Sequence, residues 1–303
     1  MKTAIISVAL LGLFLIIGGT IAAVMYIAPL VKQVRAEHQA GHYTEKARAR
    51  LLVQDEKDRD YKGAIEDYDK AIAAKPSAKL YDERAECRQH INDMQGARDD
   101  LDKSIALNPK NPATYGMRGF VTISLGNYAE GIEDFNKALA LAPQDGEIFR
   151  GRGMAEYCMD NNTAALKDYQ RAFSYASEGE NASYAQYFIW CTQVKLGNAV
   201  EATKALTTYM DTPGAKKSPG WTRAVGEFLI DEKTEKELLA IADVTPETGS
   251  VVNQRCEAYY YMALKRLAKN DKAGAKEALQ QCIDTNVFLF LEYEMARADI
   301  KRI

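Results

Sequence analysis

Four segments of the chain match one another at a spacing of 33–34 residues. They are YKGAIEDYDKAIAAKP (61–76), MQGARDDLDKSIALNP (94–109), YAEGIEDFNKALALAP (128–143) and NTAALKDYQRAFSYAS (162–177). Self-similarity at such a period predicts an array of like structural units, each packing against the next. The apolar residues recur at helical spacing within every segment, so the predicted fold class is all-α.

Each segment carries small and bulky residues in the same order. A small residue stands at the fourth position (Ala64, Ala97, Gly131, Ala165), a bulky one four later (Tyr68, Leu101, Phe135, Tyr169), and a small one three further on (Ala71, Ser104, Ala138, Ala172). Three segments end in proline, which lacks the N–H group that would continue a helix. The order is typical of the second helix of a hairpin, because the small residues let the first helix approach closely.

The first helices of these hairpins show a matching pattern. They read Tyr81-x-x-Arg84-Ala85, Tyr115-x-x-Arg118-Gly119 and Phe149-x-x-Arg152-Gly153. Together the two patterns resemble the tetratricopeptide repeat (TPR), a hairpin of 34 residues. The resemblance implies an α-solenoid, a right-handed superhelix of helical hairpins. The predicted repeats are 45–77, 78–111, 112–145, 146–179 and a degenerate fifth at 183–210.

Opposite charges recur within the repeats. Arginine stands at position 7 (Arg84, Arg118, Arg152) and aspartate at position 23 (Asp67, Asp100, Asp134, Asp168). The fifth repeat has Ile189 and Ala205 there, so both charges are absent together. Guanidinium and carboxylate groups suit paired hydrogen bonds, so partly buried ion pairs are predicted. The pattern fits pairs within a repeat and pairs between neighbours.

The N-terminus predicts a single membrane-spanning helix. No charge occurs from Thr3 to Val31, and about 20 apolar residues suffice to span a bilayer. A cleaved signal peptide, with Thr20-Ile21-Ala22 as its cleavage site, is the alternative. Lys2 favours export of the C-terminal part, whereas Lys32 and Arg35 favour its retention inside. We expect an extracytoplasmic C-terminal part.

The chain is expected to divide into an anchor with a juxtamembrane helix (1–43), a TPR array (44–210) and C-terminal helices (211–303). Thr234 and Glu237 have the spacing of a helix capping box. Residues 256–283 form a sixth TPR-like hairpin, and 286–300 a helix that caps the exposed end of the array.

The order of these C-terminal segments resembles bacterial TPR envelope proteins of the NlpI type. The quoted segments are the "ELLAIA" helix, the "CEAYYYMALKRLAKNDKAGAKEAL" hairpin and the "FLEYEMARADI" helix. The resemblance implies a homodimeric, non-enzymatic adaptor that recruits a periplasmic protease and peptidoglycan hydrolases. Proteins of that type are lipoproteins, but no cysteine lies near residue 20 here, so a membrane helix would replace the lipid.

No pattern for catalysis, cofactor binding or metal binding is present. The net charge is −3 and the pI about 5.8, which gives no reason to expect nucleic acid as a partner. The five cysteines form no CxxC pair. Cys256 and Cys282 should lie at the same end of the sixth hairpin, where they could form a disulfide in an oxidising compartment.

Proteins or peptide segments are the expected partners. In TPR arrays the first helices line a concave groove, which here places aromatic residues and one arginine in the candidate site: Phe120, Arg150, Tyr157, Tyr184, Tyr187 and Tyr260. Such a surface suits a peptide with hydrophobic anchors. The alternative is that some of these tyrosines pack against the C-terminal helices.

Two other functions remain open. A cytosol-facing TPR receptor or co-chaperone would hold a terminal carboxylate with Lys and Asn, yet Ala49, Val53, Asp82 and Glu86 occupy the corresponding positions. A membrane-complex assembly factor would act through the anchor, where Gly18-Gly19 permits close helix contact.

Overall fold

The computed structural model describes residues 21–52, 59–176, 179–218, 220–244 and 251–303, with side chains from Ile27 onward. These residues form α-helices joined by short turns, as the repeat pattern predicts. The helices are α1 Ile21–Leu51, α2 Tyr61–Ala74, α3 Ala78–His90, α4 Met94–Leu107, α5 Pro112–Ser124, α6 Tyr128–Leu141, α7 Gly146–Cys158, α8 Asn162–Tyr175, α9 Glu180–Lys195, α10 Ala199–Met210, α11 Pro213–Lys216, α12 Gly220–Leu229, α13 Glu235–Ala242, α14 Val251–Ala268, α15 Lys272–Asp284 and α16 Leu291–Asp299.

The chain divides into two compact units, Met1–Asn108 and Pro109–Ile303. Helices α1 to α4 belong to the first unit and form two hairpins. Helices α5 to α16 belong to the second unit, where hairpins α5–α6, α7–α8, α9–α10 and α14–α15 follow in chain order. The predicted domain limits at residues 43 and 210 stay a prediction.

The small and bulky positions of the repeat form the core of each hairpin. All twelve residues at the three repeated positions are buried. A Cβ atom on Gly131 would lie 2.8 Å from Ile123 Cγ1 and 3.1 Å from the backbone oxygen of Gly119. The helices therefore approach at a distance that only a small residue allows.

The turns inside the hairpins share one backbone conformation. The second residue after the end of the first helix has a positive φ in each: Asn92 (61°), Gly126 (86°), Asp160 (66°), Gly197 (83°) and Asn270 (63°). Glycine, asparagine and aspartate adopt this left-handed conformation at the lowest cost. The residue types at these turns thus define where each first helix ends.

Helix α1 extends past the hairpin that it forms with α2. No residue from Ile27 to Gln39 is buried, and Ala40 is the first that is. Residues 3–20 of the predicted membrane helix lie outside the described residues. Among the residues that are described, no helix has the length and apolar character needed to cross a membrane.

The C-terminal helices pack onto the second unit. Hairpin α14–α15 contacts α16, and α16 also contacts α7. The Thr234 side chain accepts a hydrogen bond from the Glu237 amide, while the Glu237 carboxylate accepts from the Thr234 amide, which confirms the predicted capping box. These helices decide how much of the groove in this unit stays open.

Candidate functional site: the groove of the second unit

The arginine and aspartate positions pair within each repeat. Arg118 donates from Nε and Nη2 to the two carboxylate oxygens of Asp134, at 2.9 and 2.6 Å. Arg152 binds Asp168 in the same way, at 2.8 and 2.7 Å. In the first unit, Arg84 and Asp100 repeat this geometry at 2.8 and 2.5 Å. The prediction of partly buried ion pairs is confirmed. Of the two alternatives, pairing within a repeat or between neighbouring repeats, the structure shows the arginine and aspartate pairing within a repeat.

Each of these arginines also contacts further groups. Arg152 donates to Asn136 of the preceding repeat at 2.6 Å, and its guanidinium lies 5.5 Å from the Phe149 ring centroid. The hydrogen bonds to Asp168 raise the pKa of Arg152 above its ordinary value. Arg84 likewise donates to Asp69 of the preceding repeat. Because Arg84 and Arg152 each contact two hairpins, their pairs fix the register of the first helices.

A fourth pair does not follow the repeat pattern, because one additional residue separates its arginine from its aspartate. Arg50 of α1 donates to Asp67 at 2.8 Å, and Lys46 donates to the same carboxylate at 3.2 Å. Burial alone would raise the pKa of Asp67, but these two hydrogen bonds outweigh it and hold the pKa below its ordinary value. The separation from Arg50 to Asp67 is 17 residues, against 16 in the other three pairs.

Two of the six predicted groove residues surround a buried carboxylate. The Tyr157 hydroxyl donates to Asp299 Oδ2 at 2.8 Å. The Tyr260 hydroxyl lies 3.0 Å from the Tyr157 oxygen and 3.4 Å from Asp299 Oδ2, so these two acceptors share its single hydrogen. Lys195 Nζ donates to Asp299 Oδ1 at 2.7 Å. All three members of the Tyr157–Tyr260–Asp299 cluster have 0 % exposure. Helix α16 therefore covers this part of the groove.

Two more tyrosines are held by α12 and α14. The Tyr187 hydroxyl donates to the backbone oxygen of Thr222 at 2.7 Å, and the ring is fully buried. The Tyr184 hydroxyl donates to Glu257 at 2.7 Å, and Trp221 Nε1 donates to the same carboxylate oxygen at 3.1 Å. The groove beside the fifth repeat is thus filled by the chain itself.

Phe120 and Arg150 remain half-exposed. The Phe120 ring packs edge to face against Phe135 with centroids 5.0 Å apart. Arg150 donates from Nη2 to Glu147, while its Nε is buried and has no hydrogen-bond partner among the described residues. An unsatisfied buried donor costs about 1–3 kcal/mol. This part of the groove offers a partner the exposed parts of an aromatic ring and of a guanidinium group.

Three of the six predicted groove residues are fully buried. Tyr157, Tyr187 and Tyr260 were expected to face a partner, but they pack against the C-terminal helices, which is the alternative described above. They offer no surface to a partner in this conformation. The protein-binding role of the six residues stays a prediction, and Phe120 and Arg150 are the members with most to offer.

Buried carboxyl groups accompany α16. Burial raises the pKa of Glu257 well above its ordinary range, and the charge of Glu292 adds to the effect. Burial also raises the pKa of Glu292, which accepts a hydrogen bond from Tyr261 at 2.9 Å. Burial raises the pKa of Glu294 to about 7, although Arg297 opposes the shift. These groups are acids that the fold has removed from water, and each lies within a packed interface.

A small cavity lies in the fifth repeat, beside the two positions that carry the ion pair in the other repeats. Its volume is about 210 Å³, between α9 and α10 of the fifth repeat. Ile189 and Ala205, which replace the charged pair, line it together with Trp190 and Leu206. Elsewhere in the described part of the chain, no group of three or more His, Cys, Asp or Glu residues is arranged to hold a metal ion.

Comparisons with known proteins agree with this architecture. Residues 112–145, the limits predicted for the third repeat, match the family model described as tetratricopeptide repeat. A tetratricopeptide repeat protein from Parabacteroides merdae has a TM-score of 0.52 at 16 % identity, covering 85 % of this chain and 98 % of its own. PilW, a type IV pilus biogenesis factor, has a TM-score of 0.53 at 14 % identity, covering 81 % and 92 %. No curated protein matches the chain in sequence.

The repeated hairpins define a helical-repeat protein. More particularly, residues 112–145 match the tetratricopeptide repeat, and the chain shares the fold of the TPR structures named above. At identities this low the solved structures show the fold alone. The finer resemblance to the NlpI type stays a prediction.

Proposed function

We propose that this chain is a non-enzymatic, membrane-anchored TPR scaffold that binds proteins through the open part of its groove. The observation that carries the proposal is the half-exposed pair Phe120 and Arg150 on the first helices of the third and fourth repeats. A partner's carboxylate would pair with the exposed part of the Arg150 guanidinium, and an apolar side chain would pack on Phe120. We expect an extended or helical peptide segment as the ligand.

Membrane anchoring is supported by the uncharged run from Thr3 to Val31. Helix α1 continues from this run and leaves residues 27–39 without a packing partner deep enough to bury them. The C-terminal part is proposed to lie outside the cytoplasm. The resemblance to the NlpI type then suggests that the partners are envelope proteases or peptidoglycan hydrolases, with a homodimer as the working state.

Site-specific photocrosslinking in membranes tests the groove. A photoreactive amino acid is placed at residue 150 and, as a matched control, at Arg171, an exposed arginine on the second helix of the same repeat. We expect protein adducts at residue 150 that exceed those at residue 171 by about tenfold. Equal yields at the two positions would contradict the groove, and adducts only at residue 171 would assign recognition to the opposite face.

A fusion experiment tests the anchor independently of the groove. An alkaline phosphatase reporter, which folds only outside the cytoplasm, is joined after Ile303 in the full chain and in a variant lacking residues 3–31. We expect activity with the full chain, in the membrane fraction, and none with the variant. Cytoplasmic reporter protein from the full chain would reverse the proposed orientation.

A further inference from the structure

Two cysteines of the C-terminal hairpin lie side by side. Cys256 is on α14 and Cys282 is in the last turn of α15, and their Sγ atoms are 3.4 Å apart. Both side chains have 0 % exposure. By contrast, the Cys158 sulfur contacts the backbone oxygen of Glu294 at 3.8 Å. The antiparallel hairpin thus brings two thiols from residues 26 positions apart to van der Waals distance.

We propose that Cys256 and Cys282 form a disulfide bond that links α14 to α15. The inference rests on the extracytoplasmic placement in the proposed function, because disulfides persist in oxidising compartments. The co-reactant is a donor disulfide, either a small molecule or an oxidase of the dithiol–disulfide class. The sulfurs are already neighbours, so the bond needs local side-chain rotation and no rearrangement of the hairpin.

The reaction is two successive thiol–disulfide exchanges. The thiolate of one cysteine attacks the donor disulfide, forms a mixed disulfide and releases the first donor thiol. The thiolate of the other cysteine then attacks the mixed disulfide and releases the second donor thiol. Two S–H bonds are lost, one S–S bond forms, and the donor takes up two electrons and two protons.

The thiol–disulfide exchange takes place while the chain folds. In the folded chain the Cys282 sulfur contacts the backbone oxygen of Glu292 at 3.8 Å, so the start of α16 covers the pair. Burial also raises the pKa of Cys282 well above its ordinary value, which suppresses the thiolate that would attack. The disulfide therefore forms before α16 packs, and α16 then shields it from reductants.

The bond would stabilise the hairpin by restricting the unfolded chain. For a closed loop of this length in a unit of this size, the loop-entropy model corresponds to a rise in Tm of about 7–14 °C. The same link would keep α14 and α15 together as the platform on which α16 packs.

Refolding with a defined oxidant tests the geometry without reference to the compartment. The full chain is reduced, denatured and refolded in detergent, either with a mixture of reduced and oxidised glutathione or with reductant alone. Free thiols are then blocked with N-ethylmaleimide and the chain is digested with trypsin. We expect peptides 256–265 and 277–297 to be linked in the oxidised sample, with a mass lower by two hydrogens than the separate peptides.

Single replacements by serine serve as controls. Cys256→Ser and Cys282→Ser should abolish the link, whereas Cys191→Ser, at another fully buried cysteine, should retain it. The wild-type peptide map keeps the test valid even where a serine variant fails to fold. A refolded chain of native helicity with both peptides alkylated, or with Cys256 or Cys282 linked to another cysteine, would overturn the proposal.

Acid trapping of the full chain from cells completes the test. We expect the same linked peptides, and free thiols at both positions would overturn the disulfide as a feature of the native protein. The phosphatase fusion reports the compartment separately, so a misplaced chain and an unfavourable thiol pair give different results.

Discussion

At the residue scale, the repeat depends on a few positions where size or charge admits little choice. Gly151 of α7 is one, because a Cβ atom there would lie 2.6 Å from Phe120 Cζ and 2.7 Å from Phe135 Cζ. The buried aspartates Asp100, Asp134 and Asp168 are another, because each accepts two hydrogen bonds from the arginine of its own repeat. Close packing and satisfied charge are the two reasons why these positions recur.

Gly151→Ala is expected to destabilise the chain by about 1–3 kcal/mol, because the added methyl group overlaps two aromatic rings that cannot both move. Gly41 of α1 supplies the matched control, since a Cβ atom there meets nothing within 4 Å. Gly41→Ala should be neutral or should stabilise by up to about 1 kcal/mol. Urea unfolding followed by circular dichroism measures both, and equal effects would contradict the packing argument.

Asp134→Ala is expected to cost about 1–3 kcal/mol, because it leaves the Arg118 guanidinium partly buried without its carboxylate. Glu133→Ala replaces the preceding residue of α6, which is exposed, and should change the free energy of unfolding by less than about 0.5 kcal/mol. The measurement is the midpoint of chemical denaturation. A neutral Asp134→Ala variant would mean that the ion pairs contribute register and no stability.

At the element scale, α16 has the largest consequence for function. This helix brings Glu292, Glu294 and Asp299 into the groove of the second unit, and each is buried there. An element of only nine residues thereby changes a predicted binding surface into core. The desolvation cost of burying these acids is offset to different extents. Asp299 accepts a hydrogen bond from the charged Lys195, whereas Glu292 accepts one from a neutral tyrosine hydroxyl.

Asp299→Ala is expected to destabilise the second unit by about 3–5 kcal/mol, because Lys195 and two tyrosine hydroxyls lose their shared acceptor. Asp284→Ala, at an exposed aspartate near the end of α15, should change little. Thermal melts compare the two. If both variants have the same Tm as the unaltered chain, the Tyr157–Tyr260–Asp299 cluster does not hold α16 in place.

Stability should also fall as the pH rises through the titration of Glu294. Its pKa is about 7 in the folded chain and about 4.3 in an unfolded one, so the folded state binds the proton more tightly. The contribution is therefore complete below pH ~4 and is lost as the pH rises towards 7, by about 4 kcal/mol at most. Glu294→Gln should reduce this loss between pH 5 and pH 8, whereas Glu133→Gln, at an exposed site, should leave the profile unchanged. If the free energy of unfolding depends on pH in the same way in all three chains, the loss of stability does not come from Glu294.

At the scale of the whole molecule, helix α1 combines two roles along its length. Its C-terminal part completes the first hairpin, because Lys46 and Arg50 pair with the buried Asp67. The stretch from Ile27 to Gln39 contributes no buried residue. The folded repeats should therefore be independent of the segment that we propose to enter the membrane.

Removal of residues 1–31 is expected to shift Tm by less than about 2 °C, because none of residues 27–31, the part of this range whose side chains are described, is buried. Removal of residues 1–51 is the informative comparison, since it leaves Asp67 buried without Arg50 and Lys46, and it should abolish the cooperative melt of the first unit. Circular dichroism melts of the two truncated chains test this. A large loss with the shorter deletion would mean that the anchor is part of the folded array.

The sequence by itself determined the hairpins, their period and their ion pairs. Those features rest on local and short-range rules, namely helical periodicity, small residues at close approaches, turn residues of left-handed conformation and charges repeated at fixed positions. The pairing of Arg50 with Asp67 was not predicted, because one additional residue separates the two positions in the first repeat.

The tertiary structure alone decided which face of the repeats remains open. Tyr157, Tyr187 and Tyr260 occupy groove positions in sequence, but α12, α14 and α16 return from later in the chain and bury them. Aromatic side chains suit a peptide ligand and a buried core equally well, so residue type could not distinguish these outcomes. The physical reason is that a covalently attached helix competes for the groove at a high effective concentration, which only its folded position reveals.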